Sequence, residues 1–236
     1  MPYRRLPKTD TARLKALKTV LDNNEVYTVR NRFIDWHVLN NAQKMYEKLL
    51  TANQQYKLCF NAQTRNSGKI ERLQKNAEMY ISHFIQVLYM SMQRGEIKES
   101  NKQLYNLKEG DYALPNIKTY DGILVYGKSI INGEKARLKT GGRPIYNPTI
   151  GMVSTHYDIF KEAYDAQKRL QERTNKAFDI LKNIRPEVDE VLLDLWNQVE
   201  KNFEKEPQDT RFDMCRKYGV VYYYRSSEKE KMEETE

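Results

Sequence analysis

The feature that most constrains this chain is an alternation of apolar residues in steps of four and three. It begins at Val38 and continues through Ala42, Met45, Leu49, Ala52, Tyr56, Cys59 and Gln63, with Lys44, Glu47 and Lys48 between. Such steps gather side chains on one face of an α-helix, whereas a strand would need a step of two. The pattern returns at Ile70, Leu73, Ala77, Tyr80, Phe84, Val87 and Ser91, where Ile81, Ile85, Leu88 and Met92 widen the face. A face that wide predicts a helix in the middle of a bundle. A third stretch runs Val153, Tyr157, Phe160, Tyr164, Gln167, Gln171, Thr174, Phe178, Leu181, polar in its middle. Val188, Val191, Leu192, Leu195, Trp196, Val199 and Phe203 make the fourth.

Punctuation between these stretches sets the expected organisation. Thr64-Arg65-Asn66-Ser67-Gly68 has the composition of a turn, Gly95 suits a helix end, and residues 96–118 show no period and read as a linker. A further helix is expected over about Thr119–Lys139, with Gly122, Gly127 and Gly133 either weakening it or allowing close approach, and Gly141-Gly142 stopping it. Asn147-Pro148 suits a helix start, and Arg185-Pro186 reads as a break that opens a new helix with Glu187, Asp189 and Glu190 at its positive end. The resulting expectation is an all-α helical bundle built from two long helical hairpins, with a short C-terminal β-strand. Its divisions are a basic arm and short helix at 1–30, the bundle at 31–206 (hairpin 31–95, linker 96–118, helices 119–206), and a C-terminal strand and acidic tail at 207–236.

Charge is unevenly spread. Residues 1–148 hold 25 Lys/Arg against 13 Asp/Glu, and residues 149–236 hold 15 against 19. Arg4, Arg5, Lys8, Arg13, Lys15 and Lys18 crowd the N-terminus and predict an arm that meets a polyanion; Arg143, beside Gly141-Gly142, is a second candidate for an anion. Near the other end, Val220-Val221-Tyr222-Tyr223-Tyr224 reads as a strand whose partner is expected at Tyr112–Leu114, at Val26–Val29 or on another molecule. Residues 226–236 then carry five Glu and two Lys.

Catalytic motifs are absent from the sequence: it contains no phosphate-binding loop, no nucleophile elbow and no His-Glu-x-x-His. His37, His83 and His156 lie on separate expected helices without the Glu-x-x-His pairs of a carboxylate-bridged metal pair, so neither metal nor cofactor is expected. Cys59 and Cys215 form no CxxC pair, and Cys59 falls on the apolar seam as packing. Among the 17 tyrosines, Tyr46, Tyr56, Tyr80, Tyr157 and Tyr164 are expected to pack in the core, while Tyr3 beside Arg4 and Arg5 suits either packing or base stacking. No apolar run has the roughly 20 residues of a membrane span, and no apolar leader follows Met1, so a reducing cytoplasm is the expected location.

The opening Tyr3-Arg4-Arg5-Leu6-Pro7-Lys8-Thr9-Asp10 and the ending Tyr218-Gly219-Val220-Val221-Tyr222 resemble those of an uncharacterised family of bacterial helical proteins. The resemblance implies a bacterial all-helical protein and carries no activity. Three function classes follow from the residues. The first is a non-catalytic structural or protein-interaction bundle that associates with itself or another protein, for which seams and wide apolar faces suffice. The second is a nucleic-acid or ribosome-associated protein using the basic N-terminal portion, and the third is a helical enzyme without a recognisable motif.

Overall fold

A computed structural model of the chain describes residues 3–25 and 33–223. Helices dominate, as the alternation requires: α1 (Asp10–Glu25), α2 (Trp36–Gln93), a 3-10 segment (Glu99–Tyr105), α3 (Tyr120–Lys139), α4 (Ile150–Asn202) and α5 (Gln208–Lys217). Two short strands complete the described residues, β1 (Tyr3–Arg4) and β2 (Tyr222–Tyr223). The fold is an all-α bundle with a short C-terminal strand. It divides into two compact units, residues 1–59 with 174–236, and residues 60–173.

Two expected breaks do not exist. Helix α2 runs straight through Thr64–Gly68, and α4 runs through Arg185-Pro186, so each expected hairpin is a single helix. Phase explains the first. Cys59, Gln63, Asn66, Ile70, Leu73 and Ala77 keep the four-three alternation across the turn-like residues without a skipped position. The polar side chains there serve the helix: Thr64 and Ser67 donate to the carbonyls of Phe60 and Gln63, one turn back. Asn66 donates to Gln167 at 2.8 Å, and Gln167 donates on to Ser67. Gly68 costs only about 1 kcal/mol relative to Ala. Pro186 costs more, about 3 kcal/mol, because it lacks an N–H and crowds the carbonyl one turn earlier. Leu181, Val188, Leu192 and Leu195 are all buried on one face across it, and each fully buried aliphatic side chain contributes about 1.5–3 kcal/mol. Packing wins.

Other boundaries fall near expectation, with refinements. Thr9 caps α1 by accepting from the Ala12 N–H, and Thr119 caps α3 by accepting from the Gly122 N–H. At α4 the cap is Thr149, which accepts from the Met152 N–H, in place of the expected Asn147. Gly219 closes α5 at φ +80, with the Val220 N–H reaching back to the Cys215 carbonyl.

In the first unit Leu17, Val20, Leu49, Leu181, Trp196, Val199 and Val220 pack into one core. The seam residues Ala42, Met45, Ala52 and Cys59 are buried on the same side of α2. In the second unit the core gathers Ile81, Phe84, Leu88, Ile123, Ile130, Val153 and Phe160. All three glycines of α3 serve close approach, and a Cβ at Gly122 would collide with the Asn116 carbonyl. A Cβ at Gly127 would stand 2.5 Å from the Tyr157 ring, and one at Gly133 would stand 2.6 Å from the Leu104 carbonyl. The expected linker is pinned by Lys102, fully buried, whose Nζ donates to Glu99 and to the Asp111 carbonyl and lies 3.4 Å from the Tyr112 ring centroid.

Candidate functional site

The basic N-terminal residues are distributed between structure and surface. Arg13 is buried and makes a two-pronged bond to Asp189 of α4, Nε to Oδ1 at 2.7 Å and Nη2 to Oδ2 at 2.8 Å. Its Nη1 donates to the Lys8 carbonyl and to Asp10, and Asp10 in turn accepts two bonds from Arg185 at 2.8 and 2.7 Å. Hydrogen bonding to Asp189, and then charge from Asp189 and Asp10, hold Arg13 above its ordinary pKa against the opposing effect of burial. Asp189 therefore anchors α1, where the sequence suggested an acid at a helix start. Arg4 pairs with Glu200 at 2.9 Å, and Glu200 also accepts from Tyr222 at 2.5 Å. Burial first, then Glu200, push the Tyr222 phenol up.

The C-terminal strand finds a partner that the sequence did not suggest. Tyr222 and Tyr223 pair antiparallel with Arg4 and Tyr3, and the Arg5 N–H donates to the Val221 carbonyl at 3.1 Å. Of the expected strand, Val220 belongs to the core, Val221 is half-buried, and only Tyr222 and Tyr223 are strand; Tyr224 lies outside the described residues. Of the expected partners, Tyr112–Leu114 lies in a loop and Val26–Val29 lies outside the described residues. Tyr3 packs its ring 6.3 Å from that of Tyr223, and the Arg5 guanidinium lies over Tyr223 at 5.6 Å.

Beside this zipper, within the same unit, lies a groove of about 540 Å³. Its walls carry Arg5, Lys8, Lys15 and Arg216, and among the described residues no carboxylate lines it. Ala12, Ala16, Val220 and Val221 supply apolar surface, and Tyr223 closes one side. Lys8, Lys15 and Arg216 are exposed, with Arg216 also bonded to Asp213. Cations around apolar surface suit an acidic ligand. Of the expected polyanion residues, then, Arg5, Lys8 and Lys15 line one groove, Lys18 is exposed outside it, Arg4 and Arg13 are held in internal ion pairs, and Arg143 belongs to the second unit.

Cys215 is fully buried, and burial pushes its thiol up, away from the reactive thiolate. Among the described residues no cluster of His, Cys, Asp and Glu is placed to hold a metal ion, and His156 stacks on Tyr80 at 3.9 Å. No helix among them is long and apolar enough to cross a membrane. Arg216, on the groove wall, was not singled out from the sequence; its place in the last turn of α5, ahead of Gly219, is the signal that marked it. No protein-family model, no curated protein and no solved structure matches this chain.

Proposed function

We propose that this chain is a non-catalytic, self-associating interaction protein whose basic groove receives the acidic C-terminal tail of a second copy. The observation that carries the reading is the groove itself, lined among the described residues by four cations and no carboxylate over apolar surface. The chain supplies a complementary segment, since residues 226–236 hold five Glu against two Lys. Heptad seams, which first suggested association, are no longer free for it, because Ala42, Met45, Leu49 and Ala52 are spent in the core of their own unit.

The test is mass in solution at low and high salt for the full chain, for a truncation ending at residue 225, and for Lys8→Glu with Lys15→Glu. Tail and groove variants should both remain monomeric where the full chain associates, and salt should dissolve the association. A full chain that stays monomeric at every concentration, or that associates equally without its tail, would sink the reading. The nucleic-acid alternative is favoured by one observation, the excess of 25 Lys/Arg over 13 Asp/Glu in residues 1–148. It would gain if an oligonucleotide bound with a steep salt dependence that the same two substitutions flatten.

A further inference from the structure

The second unit holds a cavity of about 790 Å³ between the end of α2, the start of the 96–118 segment and the loop after α3. Its organising residue is Arg137, which is 4% exposed and yet lines it. The guanidinium is held on three sides. Nε donates to the Tyr105 hydroxyl at 3.0 Å and to Glu134 Oε2 at 2.9 Å; Nη2 donates to Glu134 Oε1 at 2.7 Å and to the Arg143 carbonyl at 2.8 Å. Tyr105 donates to Glu134 at 2.5 Å, which completes the cluster. Nη1 takes part in none of these bonds. It lies against Gly142, where an added Cβ would stand 2.7 Å from it, so a side chain at this position would crowd the nitrogen.

The loop is shaped by the same residue. The Gly142 N–H donates to the Arg137 carbonyl at 3.1 Å, with Gly141 at φ +85 providing the reversal. That strap holds exposed Arg143 at the cavity wall, which exposed Lys98 also lines. Arg94 is bonded twice to Glu96, at 2.7 and 3.1 Å, and so neutralises it. Four cations (Arg94, Lys98, Arg137, Arg143) against two carboxylates (Glu96, Glu134) leave +2, the opposite of a terminal phosphate. Tyr146, 78% exposed, lines the same cavity.

We infer that this cavity binds a small phosphate ester carrying a planar ring, of the nucleoside phosphate class, with its terminal phosphate on Arg137 Nη1, Arg143 and Lys98 and its ring on Tyr146. A guanidinium already fixed by Glu134 and Tyr105 loses no side-chain entropy when the anion arrives, so its geometry is prepared for a phosphate oxygen. A donor on a side chain only 4% exposed is reached by a terminal phosphate and not by the diesters of a continuous strand. The site shares no residue with the basic groove, and the inference stands apart from the tail-docking proposal.

The test titrates the full chain with inorganic pyrophosphate, adenosine and guanosine mono- and diphosphates, citrate and a single-stranded oligonucleotide, by calorimetry and by thermal shift. Arg143→Ala with Lys98→Ala, both at exposed positions, should weaken nucleotide and pyrophosphate binding tenfold or more. Tyr146→Ala should weaken the nucleotides and spare pyrophosphate. Gly142→Ala should abolish both, and unchanged circular dichroism identifies a folded variant. Lys8→Glu with Lys15→Glu should change none of this, which separates the two proposals. No binding at millimolar ligand, equal affinity for citrate, preference for the oligonucleotide, or indifference to the Arg143/Lys98 pair would each overturn the inference, leaving Arg137 as a structural anchor of its loop.

Discussion

Replacing Arg13 by Ala asks whether an arginine from a basic N-terminus can be a structural bolt. The side chain is 10% exposed and makes four hydrogen bonds, two of them to Asp189. Breaking a buried pair by removing one partner costs about 3–5 kcal/mol. Two facts lower that figure here: Asp189 is 29% exposed and rehydrates in part, and Asp10 keeps its two bonds from Arg185. The expected loss is about 2–3 kcal/mol, or roughly 5–10 °C in melting temperature for a chain of this size. Tryptophan fluorescence in urea is the assay, because both tryptophans, Trp36 and Trp196, belong to the same unit as Arg13. Asp189→Ala alone and in the Arg13→Ala background closes a double-mutant cycle, whose coupling should exceed about 1 kcal/mol. Lys8→Ala, at an exposed position, should stay within about 0.5 kcal/mol of the parent. If Arg13→Ala does the same, or if the two substitutions are simply additive, the bolt is a crossing of charges without consequence.

Pro186→Ala should stabilise the first unit by about 2 kcal/mol, the helical penalty of roughly 3 less the 0.4–1 that the ring removes from unfolded-chain entropy; a lower urea midpoint would contradict this. Gly127→Ala should cost about 1–3 kcal/mol by forcing its methyl into the Tyr157 ring, read as faster hydrogen exchange along α3; unchanged protection would refute the close approach. Tyr105 and Tyr222 have phenols pushed above their ordinary 10.0, chiefly by burial and then by Glu134 and Glu200. Both states are protonated below that pH, so stability is intact there; above it the unfolded chain sheds protons that the fold retains, and stability falls. Tyr222→Phe should flatten that alkaline fall in tryptophan fluorescence, and an identical pH profile would count against it. Cys59 and Cys215, both buried, should react with a thiol reagent only on unfolding, as a titration with and without urea would show.

What was legible in the sequence is what repeats. The four-three alternation identified the segments of α2 and α4, and composition found the ends at Gly95 and Gly141. What misled was local chemistry read without phase. Asn66, Ser67 and Gly68 are turn residues by type, yet Cys59, Asn66, Ile70 and Ala77 never leave register, and register reflects many contacts where a turn residue reflects one. The same blindness hid the buried ions. Arg13 occupies the stripe of Ala16, Leu17 and Val20, and Glu134 and Arg137 continue Ile123, Gly127 and Ile130 at steps of four and three. A charge found in phase with a core marks a partnered ion, and that signal was available. The pairing of β1 with β2 was not, since two residues at Tyr3–Arg4 are too short to carry any period.

The division of the chain also has a consequence in time. The second unit is one uninterrupted stretch, 60–173, whereas the first is assembled from both ends. During synthesis Leu17, Val20 and Leu49 emerge early, but their core partners Leu181, Trp196 and Val220 lie in the final 63 residues, 174–236. At roughly 5–20 residues per second those residues take about 3–12 s to appear. For that interval Leu17, Val20 and Leu49 are without these core partners. A ribosome-bound chain stalled before residue 174 should therefore lack the partners of its N-terminal apolar residues, which hydrogen exchange on α1 in such a chain would test.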